Sequence, residues 1–139
     1  MVVFAVMIIF SIYTTKCHGD SCNSKPILEE EKQVLLFPKM IPDMIKKQIE
    51  NKEILLLDVR DDSEWEAGHI AGAKHLALND LSFITVRSLS KDIPIYVYCR
   101  SGKRANEATI KLHSLGFNQA ENIGGVIYWQ ERGGVLTKL

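Results

Sequence analysis

Cysteine is scarce in this sequence, no hydrophobic run is long, and neither sign of charge is in excess. Each absence removes a class of protein. Only Cys17, Cys22 and Cys99 occur in 139 residues, two of them near the start, whereas a disulfide-built secreted scaffold needs an even set spread through the fold. No CxxC pair and no His/Cys cluster has zinc-site spacing, so no metal is expected. Lysine plus arginine and aspartate plus glutamate number 17 each, which leaves no global field to attract nucleic acid or an anionic membrane. Internal repeats are absent. What remains is a chain with 46% hydrophobic residues, ordinary for one globular domain with its own core.

The longest apolar run, Val2 to Tyr13, is broken only by Ser11 and falls short of the roughly 20 residues that span a bilayer. Its length suits the core of a secretory signal peptide over residues 1–19, with cleavage after Gly19. Two departures stand out: no Lys or Arg precedes the run, and Cys17 is an unusual residue near the cut. An uncleaved N-terminal anchor is the alternative, and no other membrane contact is expected. The chain is therefore read as exported, to a periplasm or outside the cell. Residues 20–33 are polar and charged and read as a tether. The domain follows at 34–139.

From Val34 onward the hydrophobic period keeps switching. A short apolar run, Val34 to Phe37, ends at Pro38. Met40, Ile41, Met44, Ile45 and Ile49 fall near helical spacing. Ile54 to Val59 is continuously apolar apart from Asp58, as suits a strand covered on both faces. Ser63 is placed to cap a short helix through Ala67, with Glu66 closing a capping box. A short strand near Lys74 to Leu76, a variable helical stretch around Leu78 to Arg87 and a β-rich run, Ile95 to Tyr98, come next. Arg104 to Leu115 reads as a helix with Ala105, Ala108, Leu112 and Leu115 on one face and Gly116 as its stop. A last strand near Ala120 to Ile123 and a short helix holding Trp129 complete an α/β pattern. Such alternation predicts a mainly parallel sheet with helices on both faces.

Open parallel sheets bind ligands beyond the carboxyl ends of their strands, and Cys99 stands at such an end. The connection reads Cys99-Arg100-Ser101-Gly102-Lys103-Arg104. Gly102 lets the backbone bend so that successive N–H groups point at one centre. The following helix offers its unpaired N–H groups to the same point. Arg100, Lys103 and Arg104 add positive charge. All three features favour a thiolate and an anionic adduct over an inert buried thiol.

The loop resembles the active-site pattern of the rhodanese family, a cysteine opening a six-residue loop with glycine fourth and arginine last. Leu57-Asp58-Val59-Arg60, Glu64-Trp65 and Gly68-His69-Ile70-Ala71-Gly72-Ala73 resemble the family's upstream signature, and Ile123-Gly124-Gly125 with Trp129 its C-terminal element. The resemblance implies a rhodanese-like domain with a five-stranded, mostly parallel sheet. It also implies transfer of sulfane sulfur from thiosulfate or a related donor to cyanide, a thiol or a protein acceptor. Cys99 would carry the sulfur as a persulfide, the backbone from Arg100 through Ser101, Gly102, Lys103 and Arg104 would hold it, and Arg100 and Lys103 would hold the donor's sulfonate. No organic cofactor is implied.

Several other residues fit plainer roles. Asp58 and Arg60 end the neighbouring strand and could orient substrate, but an ion pair with Glu64 or Glu66 that fixes the loop is the favoured reading. His69 reads as part of a structural turn, Gly124 and Gly125 as tight backbone, and Trp65 and Trp129 as packing. His75 and His113 show no partners at useful spacing. Cys22 reads as unpaired. Among rival functions, a cysteine phosphatase needs five residues between cysteine and arginine, and only four intervene before Arg104. A non-catalytic binding module would have no need of the cysteine and its basic loop.

Overall fold

Uninterrupted aliphatic runs become strands wherever helices can cover both their faces. The computed structural model describes residues 37–138; the expected signal segment 1–19, the tether 20–33 and the residues 34–36 lie outside it. Strands β1 (Leu55–Asp58), β2 (Lys74–His75), β3 (Ile95–Cys99) and β4 (Ala120–Gly125) pair in the order β2-β1-β3-β4, all parallel. The helices are α1 (Pro42–Glu50), α2 (Asp62–Ala67), α3 (Lys103–Ser114) and α4 (Val126–Glu131). The stretch expected to be variably helical forms two short 3-10 turns, Leu78–Asp80 and Thr85–Ser88.

Among the described residues the sheet has four strands, one fewer than the resemblance implied. The C-terminal residues contribute only an isolated antiparallel bridge, His69 to Thr137, in which the two residues exchange both backbone hydrogen bonds. One such pair does not extend into a strand.

All five residues of β3 are buried, and they alternate between two cores. Ile95, Val97 and Cys99 join Leu57, Ala105, Ala108 and Leu112 on the α3 side. Tyr96 and Tyr98 join Met40, Ile45, Leu56 and Trp129 on the α1 and α4 side. Each fully buried aliphatic side chain in these layers contributes about 1.5–3 kcal/mol of transfer free energy. The expected face of α1 is narrower than its sequence pattern. Met40 and Ile45 are buried, but Ile41 and Met44 are exposed.

Helix ends explain two further differences. α2 starts at Asp62, and the half-in residue is Asp61, whose carbonyl accepts from the Trp65 N–H. Ser63 therefore lies inside the helix and caps nothing, and the Asp61 carboxylate is engaged elsewhere, by Arg104. α3 begins one residue earlier than its periodicity suggests. It ends as expected: Gly116, at φ 89°, donates to the His113 carbonyl, and Phe117 N–H reaches back to Leu112. Those two bonds form a Schellman stop, with Phe117 and Leu112 sharing one apolar core.

Candidate active site

Cys99 closes β3, and the chain turns at once into the N-terminal end of α3. The Gly102 N–H donates to the Cys99 Sγ at 3.1 Å, so the bend aims at least one amide at the sulfur. That bend puts Gly102 in the left-handed region, φ 95° and ψ −13°, where a side chain is strained. There is no room for one either: a Cβ would stand 2.7 Å from the Phe37 ring. Cys99 itself is only 1% exposed. The sulfur is thus covered, but with a polar donor turned toward it.

The floor of the loop is the second glycine of β4. Gly125 has ordinary extended backbone, yet a Cβ there would stand 2.2 Å from the Arg100 carbonyl oxygen. Space, not conformation, demands glycine. The same carbonyl accepts from the Ile127 N–H at 3.2 Å, which pins the loop to the first turn of α4.

Of the loop's cations, Arg104 is already engaged. Its guanidinium donates to Asp61 Oδ2 at 3.0 Å and to Glu64 Oε2 at 2.6 Å. Burial works against the charged form of Arg104, but the Glu64 hydrogen bond and charge outweigh it and raise its pKa above the usual value. The expectation that Arg104 serves the cradle is narrowed accordingly: its side chain braces α3 against α2. Arg100, Ser101 and Lys103 are exposed, and among the described residues neither Arg100 nor Lys103 forms an ion pair.

Asp58 and Arg60 pair with each other rather than with Glu64 or Glu66. Both are buried, and Arg60 donates from Nη2 to Asp58 Oδ2 at 2.6 Å and to the Gly68 carbonyl at 2.8 Å. The Arg60 N–H also bonds Asp58 Oδ1 at 3.0 Å. This network spends their polar groups on the turn after β1. Burial, reinforced by the Asp58 carboxylate, keeps the adjoining Tyr98 phenol well above its usual pKa, and that phenol accepts from the Ile70 N–H.

The histidines have partners that spacing did not reveal. His75 Nε2 lies 2.8 Å from the Arg60 carbonyl and His113 Nε2 2.8 Å from that of Ala120. His69 stacks on Trp65 at 3.6 Å between ring centroids, as a structural turn residue would. Trp129 is fully buried and donates to the Val135 carbonyl.

One residue beside the loop was not singled out from sequence. The Asn122 side chain donates to the Gly102 carbonyl and accepts from the Gly124 N–H, both at 2.9 Å. The available signal was an asparagine inside a strand, where that residue type is depleted.

A family model described as Rhodanese-like domain matches residues 41–132. Thiosulfate sulfurtransferase GlpE of Pseudomonas fluorescens is 32% identical over 94 residues, covering 66% of this chain and 84% of that protein. A sulfurtransferase of Allochromatium vinosum is 33% identical over 85 residues, covering 60% and 78%. Of another relative, YrkF of Bacillus subtilis, the chain spans only 47%, at 30% identity over 88 residues and 63% of this chain. The solution structure of the rhodanese-like domain of Anabaena Alr3790 superposes with a TM-score of 0.61 at 32% identity, covering 70% of this chain and 76% of that one. A rhodanese-like domain protein from Staphylococcus aureus gives 0.60 at 28% identity, covering 71% and 95%.

Proposed function

The chain belongs to the rhodanese-like domain family of sulfurtransferases, and from that premise we propose that it moves sulfane sulfur from thiosulfate to a thiophilic acceptor, cyanide or a thiol, by way of Cys99. The observation that carries this reading is the Gly102 amide aimed at the Cys99 sulfur at 3.1 Å. An oriented N–H favours an anionic sulfur, whether thiolate or persulfide, and needs no rearrangement when charge develops there.

The Cys99 thiolate attacks the outer sulfur of thiosulfate. A new S–S bond forms, the old one breaks, and sulfite leaves with the electron pair. The persulfide's outer sulfur then lies about 2 Å beyond Sγ. The acceptor attacks that outer atom, the S–S bond breaks again, and the thiolate returns. Covalent double displacement of this kind requires no separate base once the thiolate exists. Arg100 and Lys103, exposed and without ion-pair partners among the described residues, are suited to a donor's sulfonate.

Export is part of the same proposal. It is supported by the apolar run Val2–Tyr13 and the small residues after it. The deciding experiment is an intact-mass spectrum of the full chain after thiosulfate treatment. One added sulfur atom that cyanide removes, and that Cys99→Ser never acquires, is the expected result. A Cys99→Ser protein that still turns over at the original rate would end the covalent reading.

A further inference from the structure

Gly102 is required by space and by its left-handed backbone, but glycine is also the residue least able to hold its own conformation. Something else must fix the peptide unit that follows it. Its carbonyl accepts from two directions: from the Asn106 N–H at 3.0 Å, the first bond of α3, and from Asn122 Nδ2 at 2.9 Å, across from β4. In a trans peptide the N–H points opposite to the carbonyl. With the Gly102 carbonyl held along α3, the Lys103 N–H is turned out of the helix's N-terminal end, and on the other side of the same glycine the Gly102 N–H meets the Cys99 sulfur at 3.1 Å.

The Asn122 amide can be oriented only one way. Gly102's carbonyl can only accept and Gly124's N–H can only donate, so Nδ2 must face the first and Oδ1 the second. The register shift opposite Val97 and Tyr98 makes this reach possible: Val97 pairs with Asn122, Tyr98 with Gly124, and Ile123 is the extra residue. No other polar side chain does both jobs at this length. Aspartate lacks the donor, and serine is too short to bridge.

Resting on the sulfur-transfer reading above, we propose that Asn122 is a positioning residue, which holds the Gly102 carbonyl and so fixes Gly102 with its own amide turned toward the sulfur of Cys99. It touches neither sulfur nor donor. Its effect is on how well the cradle accepts the charge that arrives during persulfide formation.

The test uses the full chain, isotope-labelled, as wild type, Asn122→Leu and Asn122→Ser. Two quantities are read: the amide proton resonance of Gly102 in the reduced protein, and the rate of persulfide formation from thiosulfate on Cys99. In both variants the Gly102 resonance is expected to move upfield as its bond to sulfur weakens. Persulfide formation should slow about five- to tenfold, the worth of one hydrogen bond, with the loss in kcat rather than KM. A folded variant with the wild-type resonance and the wild-type rate overturns the proposal. Should the leucine variant not fold, the serine variant decides by the same comparison. A wild-type chain that takes up no sulfur would sink the sulfur-transfer reading alone, because the Gly102 resonance answers for Asn122 without it.

Discussion

Arg104 Nη2 stands 2.6 Å from Glu64 Oε2 and joins the helix that starts behind the cysteine loop to the helix that follows β1. Asp61 adds a second carboxylate to the same guanidinium at 3.0 Å. The contact is partly open to water, so its worth at neutral pH is small, about 0–1 kcal/mol. Its dependence on pH is more informative.

Burial alone would raise the Glu64 pKa, but the hydrogen bond and charge of Arg104 outweigh it and hold the carboxyl below its ordinary 4.5. A depressed carboxylate contributes stability that is complete above its unfolded pKa and disappears as pH falls through the folded one. Arg104, raised, stays charged throughout and adds no slope in that window. Glu64→Gln should therefore lose less stability than wild type between about pH 5 and pH 3. Urea midpoints collected across that range would reveal it, and parallel curves would count against the pair.

Gly125→Ala tests the floor of the loop. Its methyl would stand 2.2 Å from the Arg100 carbonyl oxygen, so the loop backbone has to move. We expect sulfur transfer to fall about a hundredfold, as for a misplacement near 1 Å, and stability to drop by about 1–3 kcal/mol. Steady-state kinetics beside thermal unfolding separates the two effects. Unchanged activity would mean that the loop geometry is not what matters.

Arg60→Ala tests the buried pair. Asp58 is fully buried, and removing its partner leaves an uncompensated charge. A loss of about 3–5 kcal/mol is expected in chemical denaturation. Whatever fraction folds should transfer sulfur at nearly the wild-type rate. A stable but inactive Arg60→Ala would instead return Arg60 to the substrate.

The double variant Arg100→Ala/Lys103→Ala tests donor capture. Both side chains are exposed, so their contribution should be electrostatic and screened by salt. KM for thiosulfate should rise, the salt dependence of kcat/KM should flatten, and discharge to a small neutral thiol should change little. The opposite pattern would remove both residues from the sulfonate's path.

Much of this architecture is readable from residue order because the strands are covered on both faces. Ile95 to Tyr98 and Ile54 to Val59 could hardly be anything but interior strands, and the Gly116 stop of α3 is a local backbone requirement. The bend of the cysteine loop is equally local, because Gly102 lies three residues after Cys99 and its amide meets the sulfur. What escaped was every feature set by register or by distant pairing. Asn122 reaches Gly102 only because β4 carries one extra residue opposite β3. Asp61 takes the half-in position expected of Ser63, and its carboxylate goes instead to Arg104, 43 positions away. Arg60 turns back on Asp58, two residues before it, because the turn after β1 brings the Gly68 carbonyl within reach of the same guanidinium. Ile41 and Met44 fit the helical period of α1, yet both are exposed while Met40 and Ile45 take the core positions.

Cys99 terminates an interior strand flanked by β1 and β4. Elements of that kind are the last to open when amide protons are exchanged with solvent, since their release requires the whole domain to come apart. The sulfur of Cys99 is therefore tethered to a stretch expected to exchange among the slowest in the domain. On the proposed sulfur transfer, donor entry and acceptor departure would then be accommodated by the few residues from Arg100 to Arg104 or by the visiting molecule itself, while the strand behind them stays still.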